Sequence, residues 1–324
     1  MTAAPNREVR GCPFGTHRVL EPAGALPQPA WRIDNTMDIY ANELLIEVRT
    51  LNIDAASFTQ LESEAAGDLE RLGQRIMEIV SERGKMHNPV TGSGGMLVGR
   101  VREIGPALRE HPRFRDLEVG DLICTLVSLS LTPLRLDRIL KVYPDRDQVD
   151  VKGQAILFES GVYAKLPADM SEKLALAVLD VAGAPAQTAR LVKPGDTVLV
   201  IGAGGKSGLL CLYEARKRAG VTGRVIGVGR SQGSVDRARG TGFADVVLQA
   251  DATRPVEFYE RVMTATGGEG ADVTISCVDV PNCEMAAILS TKDDGVIYFF
   301  SMATSFTQAA LGAEGIGHGA TMII

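Results

Sequence analysis

"VLVIGAGGKSG", Val198 to Gly208, sets four apolar residues ahead of four glycines and a lysine within eleven positions. A mononucleotide P-loop requires a glycine, four intervening residues and then Gly-Lys-Ser/Thr. Gly205-Lys206-Ser207 supplies the tail, but the position five before Gly205 is Val200, so the lysine-serine pair is a coincidence. The dinucleotide pattern fits better. Gly202 serves the tight turn, and Gly204 serves the close approach of backbone to a pyrophosphate. Ser207 holds the third position, with Gly208 directly after it. Downstream, "LLCLYEARKRAG" has helical spacing at Leu209, Leu212, Tyr213 and Arg216, and Gly220 stands where a helix C-cap belongs. "GRVIGVGRS" then starts another strand. Strand, glycine turn, helix and strand form the context in which a glycine motif becomes informative.

From about residue 168 onward the chain alternates strand and helix. Strands are expected at Thr197–Ile201, Val225–Val228, Asp245–Leu248, Asp272–Cys277 and Gly295–Phe300. This is the pattern of a doubly wound parallel α/β sheet of Rossmann type. Residues 1–167 instead carry β-like runs broken by Gly and Pro, such as "ELLIEVRTLNI" and "GDLICTLVSLSL", and read as a mostly β domain. Within it, "GDLERLGQRIMEIVSERGK" places Leu69, Leu72, Ile76 and Ile79 on one stripe ending at Gly84, an inserted amphipathic helix that covers core. The closing "GATMII" reads as a buried strand with nothing after it to cover it, as in a chain that continues past Ile324.

The 324 residues suit two domains, and 45% hydrophobic with 23% charged residues is globular. A net charge of −6 disfavours nucleic acid. No apolar run reaches the roughly 18 residues of a membrane helix, and no secretory leader is visible, which points to a cytoplasmic protein without membrane partners. The five cysteines, Cys12, Cys124, Cys211, Cys277 and Cys283, lack metal-like spacing and read as reduced core thiols.

A β-rich first half followed by "VKPGDTVLVIGAGG" resembles the medium-chain dehydrogenase/reductase superfamily over nearly the whole chain. The resemblance implies a GroES-like catalytic domain ahead of the Rossmann domain. "PVTGSGGMLVGRVREIG" takes the place of the glycine-rich catalytic signature, and "LNIDAASFTQ" that of the first active-site lip. More narrowly, "GTHRVLEPAGALPQPAWRIDN", "TLNIDAASFTQ" and "GKMHNPVTGSGGML" are similar to the L-erythro-3,5-diaminohexanoate dehydrogenases of lysine fermentation. That likeness implies oxidative deamination. The diamino acid, water and an oxidised nicotinamide cofactor give 5-amino-3-oxohexanoate and ammonia. Where zinc alcohol dehydrogenases place a lip cysteine, this chain has Ile53-Asp54, and where they place His-Glu it has Ser93-Gly94. Their structural-zinc cysteines are missing, so no metal is expected.

Hydride loss from an amine requires a neutral nitrogen, and the iminium formed must be attacked by water. Both steps call for groups that move protons near neutral pH. The candidates on the two lips are Asp54, as ammonium ligand or base, Ser57, and the pair Lys85 and His87, as carboxylate anchor and proton shuttle. The plain alternatives are a turn-forming Asp54, a Ser57 at a helix start or in the core, and a solvated loop around Lys85 and His87. His17 reads as structural, while Glu159 and Asp180 read as capping or solvated. For the cofactor, Gly202, Ala203, Gly204, Gly205, Lys206 and Ser207 form the glycine turn, and Gly229, Arg230 and Ser231 end the second strand. An acidic residue about 20 positions after the turn marks NAD enzymes. Here Gly229 stands twenty-one residues after Gly208, with Arg230 beside it. An arginine without a neighbouring carboxylate suits the 2′-phosphate of NADP, whereas the family resemblance implies NAD, so both cofactors stay open. Edge-strand pairing suggests a homodimer. A zinc-free quinone or enoyl reductase and a non-enzymatic nucleotide-binding protein of the same fold remain alternatives.

Overall fold

Glu43–Asn52 is the strand around which the first unit is built. It lies mid-sheet, and Leu44, Ile46, Val48 and Leu51 enter one core. The computed structural model describes residues 8–324 and divides the chain into two compact units, one ending at Asp180 and the other spanning Val181–Ile324. In the first unit, a ribbon of β1 (Val19–Glu21) and β2 (Arg32–Ile33) precedes β3 (Glu43–Asn52), α1 (Ala55–Glu64) and α2 (Leu69–Arg83). Then follow β4 (Met96–Ile104), β5 (Leu122–Thr125), β6 (Leu134–Tyr143), β7 (Gln148–Phe158), β8 (Tyr163–Lys165) and α3 (Glu172–Leu179). An antiparallel six-stranded sheet runs in the order β6-β7-β3-β4-β5-β8.

The inserted helix is α2. Asp68 caps it by accepting from the amides of Glu70 (2.9 Å) and Arg71 (3.2 Å). Gly84 ends it at φ 75°, a left-handed turn that glycine adopts without strain. Leu72, Ile76 and Ile79 are buried, each burial worth about 1.5–3 kcal/mol. Leu69, expected on the same stripe, is 40% exposed because it opens the first turn, while Val80 joins the buried face. The expected domain boundary at 167/168 falls before α3. That helix belongs to the first unit, where Leu176 packs with Met96, Val98 and Cys124.

The second unit comprises α4 (Gly183–Leu191), β9 (Thr197–Ile201), α5 (Lys206–Ala219), β10 (Arg224–Gly229), α6 (Gln232–Gly240) and β11 (Val246–Gln249). It continues with α7 (Pro255–Thr266), β12 (Ala271–Ser276), α8 (Glu284–Leu289), β13 (Thr291–Phe299), α9 (Phe306–Ile316) and β14 (Thr321–Ile323). Its strands are parallel in the order β11-β10-β9-β12-β13-β14, the doubly wound Rossmann arrangement. Successive residues of β9 enter different cores: Val198 and Val200 pack with α5, Leu199 and Ile201 on the opposite face. Burial on both faces explains why this strand reads as an unbroken apolar run. β14 pairs with β13 alone at the sheet edge, and Met322 and Ile323 are half-buried, so the closing strand is not the fully buried one expected.

Candidate functional site: a dinucleotide pocket and a hydroxyl cluster

β9 ends at Gly202, whose φ of 81° turns the chain sharply, and the amides of Gly202 and Ala203 both donate to Val228 O. Gly205 is the N-cap residue of α5, and no side chain caps that helix. Its first-turn amides are therefore available to an anion. A Cβ on Gly205 would meet only Gly202 O at 3.4 Å, so the backbone there faces open space. Gly204 is packed against α6. A Cβ there would collide with the carbonyl oxygen of Ser234 in α6, so α6 itself requires that glycine. Arg237 reinforces the contact by donating from Nε to Gly204 O at 2.9 Å. The close packing of α5 on the turn rests on Gly208, directly after the third motif position, where a Cβ would strike Gly202 O and Ala203 Cα. Ser207 instead bonds the thiol of Cys277, Ala203 is buried, and Lys206 is exposed at the start of α5.

A cavity of about 350 Å³ opens beside this turn, at the C-terminal ends of β9, β10 and β12. Its walls include Gly202, Gly205, Arg230, Ser231, Asp251 and Cys277. The strand order reverses at β9, and such a switch point is where doubly wound sheets bind ligands. The uncapped helix, the open face at Gly205 and this cavity together fit a dinucleotide. Gly229 is buried, and a Cβ there would lie 2.7 Å from Ser234 Oγ, so a side chain at the end of β10 requires Ser234 to shift. Ser231 caps α6 by accepting from Ser234 N at 3.2 Å. Arg230 is exposed, and its Nε lies 3.2 Å from Asp251 Oδ2, beyond the end of β11. Thr253's hydroxyl and amide bond Asp251 and hold its carboxyl below the usual range.

In the first unit, Ser57 and the glycine-rich loop come together. Ser57 Oγ lies 2.5 Å from Thr91 Oγ1 and 2.6 Å from Ser93 Oγ, and Thr91 and Ser93 are 3.3 Å apart. Asn88 joins the loop to α1, donating to Gln60 Oε1 at 2.9 Å and accepting from Val90 N at 2.8 Å. The sequence pointed to Ser57 but not to Thr91 or Asn88. The polar pattern Asn88, Thr91, Ser93 in "NPVTGSGG" carried the only signal.

The other candidates take different places. Asp54 caps α1, accepting from Ala56 N at 3.1 Å. Lys85 is fully buried and donates to the carbonyls of Pro27 (2.6 Å) and Gln28 (2.9 Å), so it is neither a solvated loop residue nor free to anchor a carboxylate. Burial, then the charge of Arg83, lowers its pKa to about 7. His87 is half-buried, with an unpartnered Nδ1. Burial, then the charges of Lys85 and Arg83, brings its pKa to about 4, so the imidazole is neutral near pH 7. His17 bonds Glu43 at 2.9 Å within the buried Arg18–Glu43 network. Glu159 pairs with Arg10 and Asn42, and Asp180 ends α3. Among the described residues, no three His, Cys, Asp or Glu side chains form a metal-binding group.

The profile described as "L-erythro-3,5-diaminohexanoate dehydrogenase N-terminal domain" matches residues 17–167, and that described as "Zinc-binding dehydrogenase" matches 208–316. The L-erythro-3,5-diaminohexanoate dehydrogenase of Acetoanaerobium sticklandii is 58% identical over 316 residues, covering 98% of this chain and 91% of that protein. The chain belongs to the L-erythro-3,5-diaminohexanoate dehydrogenase family. The enzyme of that name from Fusobacterium nucleatum is 57% identical, over 97% of this chain and 90% of its own. Among solved structures, the CurK enoyl reductase superposes with a TM-score of 0.57 at 15% identity, covering 91% of this chain and 76% of its own. A mycobacterial protein complexed with NADPH gives 0.52 at 19%, covering 90% and 76%. Those two likenesses show the fold. As a member of this dehydrogenase family, the chain is an oxidoreductase that uses a nicotinamide cofactor. No described helix is long and apolar enough to cross a membrane.

Proposed function

We propose that this enzyme oxidatively deaminates L-erythro-3,5-diaminohexanoate, with water, to 5-amino-3-oxohexanoate and ammonia, as a step of lysine breakdown. The observation that carries this reading is 57–58% identity to two enzymes of that name over nearly the whole chain. The quinone and enoyl reductases share its fold at 20% identity or less, which favours neither of their activities. The cofactor, when bound, accepts the hydride. The uncapped first turn of α5 holds its pyrophosphate. In the first unit, Ser57 is fully buried while Thr91 is exposed and Ser93 half-buried, so the oxygens of Thr91 and Ser93 are the ones open to accept from the substrate's amine. His87, neutral near pH 7, can accept a hydrogen bond or a proton without first losing one. The test is to follow cofactor reduction and ammonia release with the diamino acid, and the reverse reaction with the keto acid and ammonia.

We further infer that NAD is preferred over NADP. Because glycine ends β10 and Asp251 lines the same cavity, the carboxylate for the ribose hydroxyls comes from Asp251. Arg230, paired with that carboxylate, is not free for a 2′-phosphate. Asp251→Ala should therefore raise the NADP-to-NAD affinity ratio at least about tenfold by releasing Arg230, and adding Arg230→Ala to that variant should weaken NADP binding again by roughly 1.5–3 kcal/mol, whereas Arg230→Ala alone should leave NADP binding nearly unchanged. Dissociation constants for both cofactors at one ionic strength provide the check. An unchanged ratio in Asp251→Ala contradicts the assignment.

A further inference from the structure

Asn88 is fully buried and stands outside the cluster of Ser57, Thr91 and Ser93 hydroxyls, yet its side chain ties that cluster together. On the loop side, Oδ1 accepts from the amides of Val90 at 2.8 Å and Thr91 at 3.4 Å. On the α1 side, Nδ2 donates to Gln60 Oε1 at 2.9 Å and to Ser57 O at 3.4 Å. The backbone of Asn88 closes the loop on itself. Its amide donates to Ser93 O and its carbonyl accepts from Gly92 N, both at 2.9 Å. Gln60 is held in turn, because its Nε2 donates to Glu64 Oε2 at 3.0 Å and leaves Oε1 for Asn88. Past Ser93 the chain is pinned as well. A Cβ on Gly94 would strike Met86 O, and one on Gly95 would strike Asn52 O at the end of β3.

We infer that Asn88 is a positioning residue for the reaction: it fixes the Thr91 and Ser93 oxygens where they receive the substrate's amine, without touching the substrate itself. This role rests on the reading of those two oxygens as the amine's acceptors. A primary amide has two donor hydrogens at one end and two acceptor lone pairs at the other, and Asn88 uses all four. A carboxylate of the same shape could hold the loop but could not donate to α1. An aliphatic side chain could do neither. With Asn88 removed, the loop keeps its backbone closure but loses its clip to α1, so Thr91 and Ser93 are free to move relative to Ser57. A displacement of about 1 Å in a group that orients substrate costs on the order of a hundredfold in rate.

The test is a kinetic cycle on the intact enzyme with L-erythro-3,5-diaminohexanoate. Asn88→Ala should lower kcat/KM at least about tenfold and leave the NADH dissociation constant at its wild-type value. Thr91→Val combined with Ser93→Ala removes the two acceptors. In that background, adding Asn88→Ala should cost less than about twofold more, because nothing is left to position. Gln60→Leu should reproduce part of the loss, whereas Gln60→Glu, which still accepts from Asn88, should keep wild-type turnover. That pair carries the test if Asn88→Ala does not fold. Wild-type kcat/KM in Asn88→Ala or in Gln60→Leu overturns the inference. So do losses that multiply in full when Asn88→Ala is added to the hydroxyl variant, the result of a purely structural role. Full turnover in the hydroxyl variant itself sinks the reading of Thr91 and Ser93 as acceptors, and the role of Asn88 falls with it.

Discussion

Replacing Gly205 by aspartate is expected to leave the second unit folded and to remove dinucleotide binding. Gly205 has φ −83° and ψ 170°, an extended conformation open to any residue, and a Cβ there meets nothing closer than 3.4 Å. Aspartate is also a better N-cap than glycine, by a few tenths of a kcal/mol. Its carboxylate would bond the same first-turn amides that a pyrophosphate needs, and would repel the phosphates as well. Affinity for NADH and NADPH should fall at least about a hundredfold, or about 2.7 kcal/mol, with a melting temperature at or slightly above wild type. Gly204→Val serves as the contrast, because its side chain runs into the backbone of Ser234, so it should lower the melting temperature outright. Fluorescence titration beside thermal unfolding separates the two. Near-native NADH affinity in a folded Gly205→Asp variant contradicts the placement of the pyrophosphate.

Stability is expected to rise with pH above neutrality because of Lys85. Its pKa is about 7 in the folded protein, against an ordinary 10.5. Between these values the unfolded chain binds the proton and the folded one does not, so raising the pH favours folding. Below about pH 7 both states are protonated and the cost of the buried charge is constant. With about 1.4 kcal/mol per unit of pKa difference, the gain across this window is on the order of a few kcal/mol. Lys85→Met removes the titration. It also leaves the carbonyls of Pro27 and Gln28 unpaired, a cost of roughly 1–3 kcal/mol each that does not vary with pH. Urea unfolding of both proteins from pH 7 to 10 should show the wild type's advantage growing with pH. A constant difference would mean that the buried amine stays charged.

The second unit was largely legible in the sequence, because buried parallel strands are unbroken apolar runs and turn glycines mark their ends. β9 was expected at the residues it occupies, Thr197–Ile201. What each glycine does was less legible, since clearance depends on chain brought in from elsewhere. Ser234 of α6 decides the fate of both Gly204 and Gly229. Asp251 could not be linked to Arg230 without the β10–β11 pairing that sets their strand ends side by side. In the first unit, Asp54 and Lys85 looked like chemistry because of their residue types and their place on the lips. Local capping claimed Asp54, and burial against two carbonyls claimed Lys85. Ser57 was visible, but its partners Thr91 and Ser93 lie on a loop distant in sequence, and only folding puts the three hydroxyls in contact.

The most direct test of the proposed activity is a stoichiometry. Purified enzyme is given L-erythro-3,5-diaminohexanoate with NAD, and NADH, ammonia and 5-amino-3-oxohexanoate are measured in the same reaction. Oxidative deamination predicts one NADH and one ammonia for each keto acid formed, with Gly205→Asp inactive under the same conditions. NADH formed without ammonia, or no turnover of the diamino acid by enzyme that binds NADH, would contradict it.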